Sequence, residues 1–506
     1  MRLLLTTIQN DCIHTKLSMK YLYSVVEEAP CQTDVVEYKT TDYVGYIFRE
    51  ILRGEYNIVY FHCNMMNVDK VAEVAEMVKK AVPTSIMVMG GTEVSFGTRE
   101  FMEQHPEVDY VFRGEPESVL YQFLRTIFTY EFDFENIAGL AYRQDDRIQV
   151  NPMAAPVDFE TLPFPYENME LEPSDTAYYE SFRGCPDRCG YSQYYPGKIR
   201  SLPLNRICTE LRYFLVKNVQ RVVFVDKWFN YSRDRAYRIW EYLISNDNGI
   251  TTFEFDVNGD LLDEETVRLL GTAREGQFRF NVDVESTNAE ALAAAGRKAN
   301  IYQLMYNVSR LQEYGTVDIT TVIRAGLPCE TPALFARSFN KIFDLKAPRM
   351  ELKVLRLKKG TELRRNAQQY GYAYQSRAPY EVIANDFMPA TELIRIENIG
   401  KLLNLFVNSG GFEESIQKIL LDGRMKPYAF LEGLEAYISK NQMEKLMYKE
   451  ENLYRILYAY ATELYDTMNE TLKLPVLQEI LHSDMEQNLS YEKVKIFDRK
   501  GWDINA

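Results

Sequence analysis

The sequence predicts an α/β protein in three parts: a doubly wound parallel-sheet domain, a partial (β/α)6 barrel and an α-helical C-terminal domain. Three observations carry this reading. Over residues 1–135, short β-branched and aromatic runs alternate with amphipathic helical patterns. After a proline-rich stretch, a second alternation of the same kind runs over residues 176–360 with six strand candidates. From residue 361 to 506 the β-type runs thin out and helical ones dominate. At 506 residues the chain has room for about three domains.

In the first part the strands fall at Arg2–Thr6, Thr33–Tyr38, Asn57–Phe61, Ser85–Met89 and Tyr110–Phe112. Between them lie helices such as Val68–Lys80, apolar at i, i+3 and i+4. Ligands of such sheets bind beyond the carboxyl ends of the strands. The segments expected there are Thr7–His14, His62–Asn67, Gly90–Glu93 and Arg113–Glu117. Glycine pairs let a backbone approach a flat or anionic ligand, although Gly90-Gly91 is equally a tight strand-to-helix connection. A hairpin over Gly139–Val150 and prolines 152, 156, 163, 165 and 173 assign residues 136–175 to a hairpin and linker. The barrel strands follow at Tyr178–Phe182, Arg221–Val225, Thr252–Val257, Arg279–Val284, Asp318–Ile323 and Glu351–Leu355. Barrels of this kind carry their sites at the carboxyl ends of the strands. In the last part, Ile394–Asn408 and Leu453–Met468 read as helices.

Composition narrows the functional classes. With 46% hydrophobic and 26% charged residues the chain can bury sizeable cores. A net charge of −15 argues against nonspecific binding to nucleic acid or an anionic membrane. No run approaches a membrane span, and Met1–Leu5 is too short for a secretory h-region. Seven scattered cysteines fit reduced thiols, so the expected location is the cytoplasm.

The most informative segment is Arg183-Gly184-Cys185-Pro186-Asp187-Arg188-Cys189-Gly190-Tyr191-Ser192, which reads C-x3-C-x2-S. With cysteine in place of Ser192 it resembles the cluster loop of radical S-adenosylmethionine (SAM) enzymes. In those loops three thiolates hold three irons of a [4Fe-4S] cluster and leave the fourth for SAM. Cys208, sixteen residues past Ser192 on a helix starting near Leu204, is read as a buried small hydrophobe and not as a replacement ligand.

Further stretches carry a wider resemblance: Val88–Ser95, Tyr110–Glu115, Leu162–Tyr166, Phe224–Asn230, Gly259–Glu265 and Ala325–Pro328. In this order they resemble the cobalamin (B12)-binding radical SAM family, in a bacterial subgroup with a helical C-terminal domain of unknown function. The resemblance implies a flavodoxin-like corrinoid domain, with cobalamin over Ile13, His14, Cys63, Asn64, Gly90, Gly91, Thr92, Glu93, Arg113, Gly114 and Glu115. A D-x-H-x-x-G motif is absent from the sequence, so cobalamin bound without a protein histidine is implied; His14 and His62 are read as packing or hydrogen-bonding residues. Cys185, Cys189 and Ser192 would be the iron ligands. Tyr191 would lie beside the adenine of SAM. Asn258, Gly259 and Asp260 would meet its amino group, and Glu285 and Ser286 its ribose or carboxylate. Arg297 would pair with the carboxylate, and Gly326 would admit the adenine. The plain alternatives are that Asp260 caps the helix opening at Leu261 and that Arg297 is a solvated charge. Arg324 departs from the small or apolar residue relatives carry before Ala-Gly-Leu-Pro, placing a cation beside the SAM site.

Three functional readings stand at this stage. The first is a cobalamin-dependent radical SAM enzyme that transfers methyl to, or rearranges, an unactivated carbon of a small molecule or peptide. It would draw electrons from a donor such as flavodoxin or ferredoxin. The second is a non-radical cobalamin/SAM methyltransferase. The third is a non-catalytic corrinoid- or partner-binding protein. Ser192 is what separates them, because a hydroxyl is a harder donor to iron than a thiolate and far less acidic.

Overall fold

The computed structural model describes residues 1–9, 13–27, 29–130, 133–145, 147–167, 171–187, 189–193 and 199–503, without the side chains of residues 13–16. Two compact units divide the chain. Unit 1 is Met1–Arg279 with Arg356–Asn366 and Gln375–Glu381; unit 2 is Phe280–Leu355, Ala367–Tyr374 and Val382–Ala506.

Unit 1 opens with strands β1 (Arg2–Gln9), β2 (Gln32–Lys39), β3 (Ile58–His62), β4 (Ile86–Gly90) and β5 (Tyr110–Phe112). They pair in parallel in the order β2-β1-β3-β4-β5, the doubly wound order with its switch point at β1 and β3. Period-2 alternation loads both faces. Leu4, Val59, Phe61, Met87 and Met89 pack with helices α2 (Val44–Arg53) and α3 (Val68–Ala81). Leu3, Leu5, Ile58, Tyr60 and Val88 face the other layer, formed with α1 (Ile13–Val26) and α4 (Pro116–Thr129). The hairpin β6 (Leu140–Gln144) and β7 (Arg147–Val150) continues this same sheet, with β6 antiparallel to β5. The sequence reading set that hairpin outside the first domain, with the linker; its register with Tyr110–Phe112 makes it the sheet's far edge.

Six strands of a second set follow: β8 (Thr176–Tyr179), β9 (Arg221–Phe224), β10 (Thr252–Val257), β11 (Phe278–Glu285), β12 (Val317–Ala325) and β13 (Arg349–Val354). This is the strand set expected of the partial barrel. In unit 1, β9 pairs in parallel with β8 and β10; in unit 2, β12 pairs in parallel with β13. The helices α5 (Leu204–Val216) and α6 (Arg233–Ser245) follow β8 and β9. The first barrel strand ends earlier than expected, at Tyr179, because the next amides leave the ladder: Ser181 N and Phe182 N each donate to Asp226 Oδ1 at 2.9 Å.

The rest of unit 2 is mainly helical, beside a short antiparallel pair of Ala373–Tyr374 with Val382–Ala384. Helix α7 (Ala390–Leu402) buries Leu393, Ile396 and Ile399. Helices Glu413–Gly423, Pro427–Lys440, Glu450–Thr467 and Leu474–Asn488 follow, and Asp484 receives Ser415 N (3.0 Å) and Ser415 Oγ (2.6 Å). No helix among the described residues is long and apolar enough to cross a membrane.

Two glycines test how tightly the first domain is built. Gly91 has φ +109°, and a Cβ there would lie 2.2 Å from the Cys63 carbonyl oxygen, whereas Gly45, near the start of α2, has open space around it. Gly91→Ala should lower the unfolding free energy by more than ~1 kcal/mol. Gly45→Ala should raise it by roughly 0.4–1 kcal/mol, through helix propensity and a less free unfolded chain. Thermal melts of the two variants beside the parent chain check both signs.

Candidate functional site

The carboxyl ends of β1, β4 and β5 present three buried acceptors with no hydrogen-bond partner among the described residues: Gln9 Oε1, Glu93 Oε2 and Glu117 Oε2. Buried polar atoms are rarely left so, and together they call for a ligand rich in N–H groups. The other oxygen of Glu93 is held by Lys359 Nζ at 2.7 Å and by the Tyr380 hydroxyl. Thr92 beside it is half-buried.

The neighbouring loops are set mainly by their own packing. Cys63 is fully buried and burial pushes its thiol pKa up; its N–H donates to Gly90 O, and its carbonyl is what excludes a side chain at Gly91. A Cβ on Gly90 would meet the Tyr60 hydroxyl at 2.3 Å. Both glycines are therefore required by the fold itself. Asn64 Oδ1 accepts from Met66 N at 2.8 Å, shaping the turn into α3. His62 is held neutral, its pKa lowered to about 4 by burial, and its carbonyl accepts from Asn67 Nδ2 at 3.0 Å. The side chains of Ile13 and His14 lie outside the described residues.

After β5, Arg113 donates to Asn151 O at 2.8 Å, and Gly114 N donates to Ser95 Oγ at 3.2 Å. Glu115 accepts from Val157 N at 2.7 Å and from both terminal nitrogens of Arg200. Burial alone would raise its pKa, but Arg200, Arg183 and the Val157 amide together hold it below the usual range. Its oxygens are thus engaged within the protein.

The cysteine loop leaves β8 over Asp226. That carboxylate, at the end of β9, accepts from Ser181 N, Ser181 Oγ and Phe182 N. Burial pushes its pKa up to about 6, against the opposing pull of Arg235 and these hydrogen bonds. Phe182–Arg183 then pairs antiparallel with Arg200–Ser201. Cys185 and Cys189 are half-buried and free of disulfides, and Cys189 Sγ donates to Asp187 Oδ2 at 3.3 Å. Ser192 N donates to Cys189 O at 3.0 Å, which puts Ser192 one turn from Cys189; Tyr191 between them is half-buried. No third His, Cys, Asp or Glu joins the two thiols in a metal-holding group among the described residues. Cys208 lies on α5 in an open groove with Arg238 and Tyr242 of α6. The donor set therefore fits an iron–sulfur cluster through two soft thiolates, with an oxygen as the third donor. Two contacts brace the loop: Leu363 N donates to Gly190 O (2.8 Å) and Gln193 Nε2 to Lys359 O (2.9 Å).

At the end of β10, Asn258 exchanges hydrogen bonds with the Asn230 side chain through its own N–H and carbonyl, both at 2.8 Å. Its side-chain Oδ1 is buried with no partner among the described residues, an acceptor suited to an ammonium group. Gly259 is buried and Asp260 is half-buried in the short turn Gly259–Leu261. The next helix begins at Glu264, and its cap is Asp263, which accepts from Thr266 N at 2.8 Å. The capping alternative for Asp260 is thereby removed.

In unit 2, Glu285 ends β11 with φ +67° and gives both oxygens to Arg324, at 2.5 and 3.0 Å. Arg297 lies 3.6 Å from the same carboxylate and donates to Asp283 O; its side chain is 1% exposed. It is a buried structural cation, which corrects the solvated-charge alternative and also removes it as an open partner for a carboxylate. The Ser286 hydroxyl donates to Glu330, a residue the sequence reading did not single out. Burial pushes the Glu330 pKa up to about 8, with Glu285 adding to the rise, so it is largely protonated at neutral pH. Its position just after the Ala325–Pro328 stretch was the available signal. Gly326 has φ +86° and ordinary space around it, so backbone conformation requires the glycine; its carbonyl accepts from the Tyr372 hydroxyl (2.9 Å) and Asn385 Nδ2 (3.1 Å).

A doubly wound sheet with orphaned acceptors at its strand ends, followed by barrel strands with a cysteine loop after the first, defines a class: radical SAM-type proteins with a corrinoid-type domain. The family matches agree with this division. Residues 1–124 match the B12 binding domain, 179–342 the Radical SAM superfamily, and 368–501 the protein of unknown function DUF4080. The chain thus carries, in this order, regions similar to a B12-binding domain, a radical SAM domain and a DUF4080 region. It is 26% identical over 318 residues to the cobalamin-dependent radical SAM methyltransferase TokK of Streptomyces tokunonensis, covering 56% of this chain and 44% of TokK. It thus spans less than half the length of that relative. Among solved structures it is similar to OxsB, a cobalamin-dependent S-adenosylmethionine radical enzyme. That match has TM-score 0.65 and 13% identity over 99% of this chain and 83% of OxsB. It is also similar to the radical S-adenosylmethionine methyltransferase TsrM of Kitasatospora setae, with TM-score 0.61 and 16% identity over 75% of this chain and 80% of TsrM.

The buried Glu330 carboxyl sets a pH signature. Its folded pKa lies above its unfolded value, so the stability it contributes is fully present below about 4.5 and is lost as pH rises through about 8. Glu330→Gln keeps an acceptor for Ser286 and removes the titration. The variant should match the parent near pH 5 and exceed it by ~1–3 kcal/mol near pH 8.5. Denaturant unfolding at the two pH values measures this.

Proposed function

We propose that this chain is a cobalamin-dependent radical SAM enzyme of the methyltransferase type, acting at an unactivated carbon of a small molecule or peptide. The observation that supports this most directly is the pairing, inside one compact unit, of unpartnered acceptors at the strand ends of the first domain with a cysteine loop braced against that domain. The relative TokK favours this reading over polar methyl transfer or a non-catalytic role. When bound, a reduced [4Fe-4S] cluster supplies the electron that cleaves SAM, and cobalamin supplies the methyl group.

The chain's own residues then have separable tasks. Cys185 and Cys189 hold iron as thiolates, and Ser192 offers an oxygen at the third position. Tyr191 flanks the adenine. Asn258 Oδ1 accepts from the SAM ammonium, with Asp260 adding negative charge nearby. Arg324, 17% exposed against 1% for Arg297, is the more accessible of the two guanidiniums around Glu285 and the one a carboxylate at this strand end would meet. Gln9, Glu93 and Glu117 accept from the amide rim of the corrinoid, with Thr92 and Gly114 lining it. His62 stays neutral, with its Nδ1 3.4 Å from the Tyr60 hydroxyl. A cytoplasmic flavodoxin or ferredoxin is the electron donor this chemistry calls for.

Anaerobic reconstitution of the parent chain and Ser192→Cys, side by side, tests the reading. Ser192→Cys should hold close to four irons per chain, give the electron paramagnetic resonance signal of a reduced cluster, and release 5′-deoxyadenosine with SAM and dithionite. The parent should hold a more labile cluster with a shifted potential. Failure of both proteins to release 5′-deoxyadenosine would sink the proposal.

A further inference from the structure

Arg183 stands two residues before Cys185 and is almost fully buried, with a side chain 10% exposed. One terminal nitrogen donates to Glu117 Oε1 at 2.7 Å, and its Nε donates to Glu180 Oε2 at 2.9 Å. Glu115 Oε2 is 3.9 Å away. The guanidinium plane lies over two rings, Tyr21 at 4.9 Å and Phe159 at 5.0 Å. Tyr21 is on α1 and Glu117 on α4, so the entry arm of the cysteine loop is held by the first domain. The exit arm is held by the same turn: Arg200 grips both oxygens of Glu115 and also donates to Val157 O. Entry and exit thus converge on Glu117, in the first turn of α4, and on Glu115 just before it, a residue the family resemblance assigned to cobalamin.

Geometry and charge make this more than an interface contact. Charge-assisted hydrogen bonds from a fixed guanidinium fork define direction as well as distance, and a lysine cannot reproduce them. Breaking a buried pair strands the remaining charge, so neither partner is easily released. Glu115 has no oxygen to spare for a ligand, whereas Glu117 gives one oxygen to Arg183 and keeps the other, buried, without a partner. Glu117 therefore has one oxygen on the cysteine loop and one free for whatever binds at the strand ends.

We propose that Arg183 is a positioning residue that ties the placement of Cys185 and Cys189 to the Glu115–Glu117 turn of the first domain. A ligand seated on that turn is then mechanically coupled to the cysteines; this consequence for catalysis rests on the cobalamin reading above, but the tie itself does not.

The test reads thiol reactivity in the chain without cofactors. Iodoacetamide alkylation of Cys185 and Cys189 is followed by mass spectrometry, with Cys208, on the far helix α5, as internal reference. Arg183→Lys and Glu117→Gln should each raise the alkylation rate of both loop cysteines at least ~5-fold relative to Cys208. The double variant should go no further than the larger single effect, because both remove one interaction. An unchanged ratio in either single variant, or effects that multiply in the double, would overturn the proposal. Should Arg183→Lys expose Cys208 as well, signalling unfolding, Arg200→Lys on the partly exposed exit arm decides by the same ratio. A separate titration with hydroxocobalamin, read by the corrin absorption band, judges the cobalamin reading: no shift counts against that function, while the thiol ratio still decides the tie.

Discussion

The arrangement of unit 1 turns on one buried carboxylate. Asp226 ends β9 and takes the amides of Ser181 and Phe182 together with the Ser181 hydroxyl. Those amides would otherwise continue the parallel ladder from Tyr179. By diverting them, Asp226 stops β8, turns the chain out of the sheet and starts the arm that carries Cys185. A buried carboxylate with no compensation would be strongly disfavoured, and burial does push its pKa up to about 6. Arg235 provides the compensation: it opposes that rise and donates to the same Ser181 hydroxyl. The exit of the loop, the ribbon at Arg200–Ser201 and the grip of Arg183 on the first domain all lie downstream of this diversion.

The acidic residues of the first domain follow a related logic. Strand ends of a doubly wound sheet are where a ligand belongs, yet Glu93, Glu115 and Glu117 each commit at least one oxygen to a basic residue far along the chain. Glu93 reaches Lys359, in the segment 356–366 that returns to unit 1 after the last barrel strand and also braces the cysteine loop at Gly190 and Gln193. Lys359 therefore serves both, its side chain on Glu93 at the ligand face and its backbone carbonyl on Gln193 of the cysteine loop. Among the described residues, Glu93 Oε2, Glu117 Oε2 and Gln9 Oε1 are the buried acceptors of these strand ends left for an incoming group.

Much of this architecture was legible in the sequence, for reasons that also mark where legibility stops. Runs such as Ile58–His62 and Arg221–Phe224 declare themselves because β-branched and aromatic residues pack on both faces of parallel strands. The end of β8 was misplaced because its cause, Asp226, lies 45 residues from Ser181. The hairpin's attachment to β5 could not be read, since an antiparallel neighbour leaves no mark on Tyr110–Phe112 itself. In the site, Cys185 and Cys189 were visible as residue types in a spacing, and Asn258 and Arg324 through the family resemblance. The pairing of Arg324 with Glu285 and of Lys359 with Glu93 was not, because only the fold brings these residues together. Gly91 shows the reverse: a glycine read as room for a ligand is fully required by the approach of Cys63.

Ser192 is best understood against that scaffold. Its place is set by backbone, Ser192 N to Cys189 O, and by the brace of Leu363 on Gly190. Neither contact involves the side chain, so serine and cysteine are presented by the same turn. What changes is donor chemistry: a hydroxyl in place of a thiol, harder and far slower to give up its proton to iron. The neighbouring anchors, Asp226 under the entry arm and Arg183 on Glu117, fix the backbone that leads into Cys185 whichever residue stands at position 192.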